Sequence, residues 1–212
     1  MANSAARSQN SLEFRMPTII LASSSPYRAQ LLHRIVSRFD TDSPDIDERA
    51  RADESGKALA ARLAAEKASA VARRHRGSVI IAADQVALLQ ADTAKERVLG
   101  KPGDFAHARE QLLACSGQRV AFHSACCVLN GHTNRIDHFH DTVTVTYKTL
   151  APETVESYLR QEQPFDCAGS IKTEGLGVAL LAHIDGADPG TLLGLPLIPL
   201  VRALENNNIS II

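Results

Sequence analysis

The amino-acid sequence predicts one α/β domain with a mixed sheet, and three observations carry that prediction. Short unbroken apolar runs, TIILA (18–22) and SVIIAAD (78–84), suit strands buried on both faces, and each adjoins helix-patterned sequence. Two further runs, RVAFHSACCVLN (119–130) and DTVTVTYK (141–148), bracket an Asn130-Gly131 turn, and the second alternates as a half-exposed antiparallel strand does. Aromatics make up only 4% of the 212 residues and Trp is absent, so Ala and Leu carry the packing, which favours helices on a sheet.

The elements follow in order. Residues 1–16 are polar without the apolar core of a signal peptide and read as a disordered tail, with Met16 as a candidate functional start. Residues 17–212 read as a single domain, with no repeat or Pro/Ser-rich linker. After TIILA, Ser25 is an N-cap and Pro26 suits the first helical position, so a helix begins there with Leu31, Leu32 and Ile35 inward. Residues 40–56 are acidic and irregular, and an Ala-rich helix then runs from about Gly56 to His75. Gly77 ends it, and the strand 78–84 closes on Asp84. A hairpin or loop over 90–103 ends in GKPG, and Asp104 caps a helix through Cys115 that Gly117 terminates. Pro152 opens a helix to about residue 161. The loop DCAGSIKTEGLG, a strand VALLAHI, the loop DGADPGTLLGLP and a last helix at about 196–205 complete the chain.

The composition excludes several functions. A net charge of −1 provides no global field for nucleic acid or membrane, so an anionic ligand needs a local cluster of cations. No apolar run reaches the roughly 18 residues of a membrane span. The four cysteines lack CxxC spacing, and adjacent Cys126 and Cys127 point to opposite faces of a strand, which fits buried thiols in a reducing, cytoplasmic setting. The His138 and His140 pair lies in a surface hairpin without metal-like spacing, and no GxSxG elbow is present.

Several residues have the chemistry of a site. The SSSPYR junction places Ser23, Ser25 and Arg28 at a helix N-terminus, whose free N–H groups attract phosphate; an ordinary N-cap gives the same pattern. Asp84, at what reads as a strand's carboxyl end, has the position and chemistry to bind a metal or take a proton from water, or to serve as a structural cap. Asp45, Asp47 and Glu48 in DIDERARADE offer oxygen ligands for a hard cation, although such runs are usually solvated loops. Lys67 sits near the buried side of its helix, and Lys101 and Lys172 are bracketed by glycines. With Arg28 they form four cations, a match for a triphosphate.

Taken together, LASSSPYRAQLL, DER, AAEKA, IIAADQV, GKP, CAGSIKTEGLG and GLPL, in that order, resemble the Maf family of nucleoside triphosphate pyrophosphatases, from about residue 17 to 212. The resemblance implies an elongated Maf/ITPase-like mixed sheet flanked by helices, with the active-site cleft between two lobes. It implies hydrolysis between the α- and β-phosphates of a nucleotide with a divalent metal such as Mg or Mn. Asp84 is then the proton acceptor and shares the metal with Glu48. Ser23, Ser25, Arg28, Lys67 and Lys101 hold phosphate, and Lys172 lies in the matching C-terminal loop.

Three positions bear on substrate. The branch acting on dTTP and UTP has Arg at Tyr27, Thr at Gln85 and Gln at Glu174; the combination here is similar to the branch acting on 7-methyl-GTP, which usually has Trp at Tyr27. An aromatic face beside a carboxylate suits a flat cationic base. A dTTP/UTP pyrophosphatase and a non-catalytic nucleotide-binding regulator of cell division stand as alternatives. The expected partner is a small-molecule nucleotide, with no nucleic acid or membrane. A homodimer fits the resemblance, although no surface stripe marks an interface.

Overall fold

The structure is a computed structural model that describes residues 17–212, so the tail expected over 1–16 lies outside the described residues. Strands β1 (Ile19–Leu21), β2 (Asp40–Thr41), β3 (Val79–Leu89), β4 (Arg97–Leu99), β5 (Arg119–Asn130), β6 (Ile136–Tyr147) and β7 (Leu181–Asp185) form one mixed sheet. Its order is β2-β1-β3-β5-β6-β7, with β4 also paired to β3. The helices are α1 (Pro26–His33), α2 (Gly56–Ala72), α3 (Phe105–Cys115), α4 (Pro152–Glu162) and α5 (Leu197–Glu205).

The local signals act as their chemistry dictates. Ser25 Oγ accepts from Arg28 N at 3.4 Å and Pro26 opens α1, while Ser55 and Asp104 cap α2 and α3. The antiparallel β5–β6 pair forms across the turn after Asn130. The four cysteines are free, and the side chains of Cys126 and Cys127 enter different cores on opposite faces of β5.

Several expectations are corrected. The strand expected over 78–84 runs to Leu89, because QVALL continues the apolar pattern and pairs with β5 along its full length. Asp84 is therefore in mid-strand. The strand expected over 141–148 begins at Ile136, so His138 and His140 lie on β6, where both are exposed. VALLAHI divides: Leu176–Leu180 is 3₁₀-helical and the strand covers Leu181–Asp185. The helix expected to reach His75 ends at Ala72, and Asp40–Thr41 forms a short strand beside β1.

Three cores surround the sheet. On one face α2 covers Ile20, Ile80, Ala82, Val86 and Leu88. The opposite face carries two cores side by side. One joins α1 and α5 to Val79, Ile81 and Ala83; the other joins α3 and α4 to Ala87 and Leu89. The long strands β3 and β5 run through both, which makes two lobes on a shared sheet. Ile80 is fully buried between β1 and α2. Ile80→Ala should lower unfolding free energy by about 2–5 kcal/mol with an unchanged m-value in urea unfolding.

Candidate active site

The cleft is set by how β3 is paired. One edge of β3 is bonded to β5 throughout. The other edge pairs with β1 through Ile81 and with β4 from Ala87, so residues 82–86 have no strand partner there. The chain leaving β1 as SSSP and the chain leaving β4 as Gly100-Lys101 both come to this gap. A cleft of about 510 Å³ opens over it, lined among others by Ser23, Ser25, Tyr27, Arg28, Glu48, Lys67, Asp84, Gln85, Lys101 and Glu174. Residues from six separate stretches of sequence thus converge.

Asp84 forms the floor. It points toward α2, where Lys67 is 6% exposed, and Lys67 Nζ donates to Asp84 Oδ1 at 2.6 Å. Glu48 Oε1 approaches the same ammonium at 2.9 Å and remains half-exposed. Burial raises the Asp84 pKa above its ordinary 3.8; Lys67, and more weakly Arg28, oppose the rise, and Glu48 adds to it. Asp84 Oδ2 has no protein donor among the described residues.

The cations divide into two kinds. Lys67 is neutralised by two carboxylates. Arg28 and Lys101 line the cleft with no carboxylate partner among the described residues. Arg28 Nε is tied to Gly194 O at 3.0 Å, which leaves its terminal nitrogens for a ligand. Gly194 has φ +89°, and a Cβ there would stand 3.1 Å from Arg28 Nε, so only glycine fits this approach. Ser23 Oγ accepts from Ser25 N at 3.1 Å, which folds the turn that aims α1 at the cleft. Ser24 also lines the cleft and was not singled out by its sequence context.

The remaining wall is acidic and aromatic. Burial, then the nearby Cys167, Glu174 and Asp166, push the Tyr27 hydroxyl up to about 12, so the ring stays neutral at physiological pH. Asp166 and Cys167 come from DCAGS and were missed by sequence reasoning, because nothing local distinguishes them from other loop residues. Gln85 points to the face opposite Asp84, as strand alternation requires, and its Nε2 donates to Thr191 O at 2.7 Å and Ser124 Oγ at 3.0 Å.

Some sequence candidates lie elsewhere. Lys172 does not line the cleft: its Nζ donates to Glu162 O at 3.0 Å, the last carbonyl of α4, where a cation meets the negative end of the helix. The reason is local, since a Cβ on Gly177 would come within 2.4 Å of Lys172 O and the loop closes tightly on itself. Asp47 turns to exposed Arg49, which lowers its pKa to about 2, and Asp45 lines no part of the cleft.

No cluster of three or more His, Cys, Asp or Glu groups suited to a metal is present among the described residues. Asp84 and Glu48 nevertheless bring oxygens to one cationic point, now Lys67 Nζ. Two carboxylates joined by ligand phosphate oxygens are a donor set that suits Mg²⁺ or a similar hard ion. No helix among the described residues is long and apolar enough to cross a membrane.

These features define an α/β protein whose cleft brings together a buried carboxylate at Asp84, two cations, Arg28 and Lys101, with no carboxylate partner among the described residues, and Tyr27 beside Glu174 and Asp166. The family model described as Maf-like protein matches residues 18–207. A protein named 7-methyl-GTP pyrophosphatase from Alcanivorax borkumensis is 47% identical over 195 residues, 92% of this chain and 96% of that protein. One of the same name from Pseudomonas syringae pv. tomato is 46% identical over 92% of this chain and all of that protein. A solved HAM1 protein from Coxiella burnetii aligns over 78% of this chain and 98% of that chain at 15% identity, with a TM-score of 0.43, too loose a match to bear on the site. The chain belongs to the Maf family.

The Asp84–Lys67 pair gives a pH signature. The folded pKa of Asp84 lies above the unfolded value, so its contribution to stability is full below 3.8 and is lost as pH rises through the folded value. Lys67→Met removes the main opposing charge. The Asp84 titration should then move further up, and the variant should lose more stability than the parent as pH rises above the ordinary aspartate value of 3.8. Carboxyl ¹³C NMR and melts across pH measure both; an unmoved Asp84 titration would break the assigned coupling.

Proposed function

We propose that this chain is a nucleoside triphosphate pyrophosphatase that hydrolyses 7-methyl-GTP to 7-methyl-GMP and pyrophosphate. The observation that carries the reading is the polarity of the cleft. Arg28 and Lys101 line it with no carboxylate partner among the described residues, and Tyr27 lies beside Glu174 and Asp166. A triphosphate suits the first, and a methylated guanine, whose ring is cationic, suits the second. The names of the relatives point the same way.

In this reading Ser23, Ser25, Arg28 and Lys101 hold the triphosphate with its α-phosphorus above Asp84. Asp84 takes a proton from the attacking water as the new P–O bond forms, and the bond from the α-phosphorus to the bridging oxygen breaks. The leaving pyrophosphate gathers negative charge, which Arg28 and Lys101 balance. Lys67 keeps Asp84 ionised against the cost of burial. Glu48 and Asp84 are the residues that would hold a divalent metal, which when bound supplies Lewis-acid stabilisation of phosphate charge. Tyr27, Gln85 and Glu174 select the base.

Asp84→Asn should cut pyrophosphate release by roughly 10²-fold or more while circular dichroism and melting stay near the parent's. Turnover close to the parent's would remove Asp84 from the mechanism. The acidic limb of kcat/KM should lie above the ordinary aspartate value of 3.8, since the base form is required and burial raises its pKa. Chelation with EDTA should abolish release, and Mg²⁺ or Mn²⁺ should restore it. In a nucleotide panel 7-methyl-GTP should have the highest kcat/KM. Preference for dTTP or UTP would assign the other branch, and binding without turnover of any nucleotide would favour a regulator.

A further inference from the structure

Gln85 belongs to a polar row that crosses three strands. The registers place Gln85 of β3 opposite Ser124 of β5, and Ser124 opposite Asp141 of β6. On this face the row falls at the seam between the two cores, with Ala83 and Cys126 on one side and Ala87 and Phe122 on the other. A buried polar row in such a position must find hydrogen bonds or cost stability.

Thr191 supplies those bonds. Its carbonyl accepts from Gln85 Nε2 at 2.7 Å and from Ser124 Oγ at 2.9 Å, and its hydroxyl donates to Asp141 Oδ2. Ser124 and Thr191 are both fully buried. Gln85 Nε2 also reaches Leu192 O at 3.2 Å. Two backbone carbonyls can only accept, so it is the nitrogen of the Gln85 amide that faces them. Both its N–H groups are engaged, which leaves Oε1 as the polar atom that Gln85 offers to the cleft.

The loop carrying Thr191 is itself held. Asp188, 2% exposed, accepts from Gly190 N at 2.7 Å through Oδ1 and from Ile198 N, at the start of α5, through Oδ2. The same loop delivers Gly194 O to Arg28. One latched segment therefore fixes both a cation and the Gln85 amide.

We infer that the Gln85–Ser124–Asp141 row, closed by Thr191, is a positioning device that presents Gln85 as an obligate hydrogen-bond acceptor and so selects bases whose facing edge carries N–H donors. Ser124, Asp141 and Thr191 are positioning residues that act through Gln85. The inference deepens the proposed reading and rests on it. A guanine edge offers adjacent N–H donors; an adenine edge places a ring-nitrogen acceptor beside its amino group. With the row intact, an acceptor in the base meets the Gln85 acceptor. With the row broken, the Thr191 carbonyl loses an anchor, on Ser124 or on Asp141, and the amide that it held can turn and present its N–H₂ group.

The test is the ratio of kcat/KM for 7-methyl-GTP to that for ATP, in the full chain and in Ser124→Ala, Thr191→Val and Thr191→Ser. In Ser124→Ala and Thr191→Val the ratio should fall roughly tenfold, chiefly through KM, because a polar site discriminates by leaving mismatched groups unpaired. Turnover of 7-methyl-GTP and the acidic limb of its pH profile should stay near the parent's. Thr191→Ser keeps the hydroxyl and should keep the parent's ratio. An unchanged ratio in folded Ser124→Ala and Thr191→Val would overturn the inference, as would a loss of turnover that is equal for both nucleotides. Equilibrium binding of the same two nucleotides separates it from the proposed activity. If neither is hydrolysed, the pyrophosphatase reading fails, and the binding ratio across the same variants still decides whether the row selects the base.

Discussion

Everything in the cleft depends on the interrupted pairing of one strand. β3 is a single continuous strand bonded on one edge to β5, while its other edge passes from β1 to β4 across residues 82–86. Backbone continuity on the β5 side keeps the floor rigid. The break on the other side leaves room for a ligand and brings two chain exits, after β1 and after β4, to the same place. Strand alternation then does the rest. Asp84 goes to the α2 face and Gln85 to the opposite one, so neighbouring residues in sequence serve different parts of the site.

The two faces treat charge differently. Toward α2, burial would favour a neutral Asp84, and the ammonium of Lys67 offsets that tendency at 2.6 Å. Glu48 shares the same ammonium from a more exposed position, so the cluster is partly exposed rather than sealed. On the other face the polar groups are uncharged at Gln85 and Ser124 and are satisfied by a backbone carbonyl. A buried carboxylate sits beside the ammonium of Lys67. The Gln85 amide sits against backbone acceptors.

The legibility of the site follows the range of the interactions. The caps at Ser25, Ser55 and Asp104, the proline starts of α1 and α4 and the outer bounds of β5 are local matters, and the sequence states them directly. Asp84 stood out because a charge interrupts an apolar run. Its supposed place at a strand end was wrong, since the strand's length is decided by its partner β5. Lys172 had the residue type and the glycine brackets of a phosphate ligand, but its loop folds back onto the end of α4. Asp166 gave no local sign at all, because a loop acid acquires meaning only from the tyrosine it faces.

By itself the sequence determined the fold class, the order and caps of most elements, and the chemical identities of the residues now found around the cleft. Its motifs also carried the family resemblance that the comparisons bear out. Only the tertiary structure decided which groups meet. Lys67 reaches Asp84 across 17 positions of sequence, and Gln85 reaches the Thr191 carbonyl across 106. Such pairings turn on sheet register and on how a distant loop is latched. Local propensity acts over a few residues and holds no information about either, whereas the closing of three cores around one sheet fixes both.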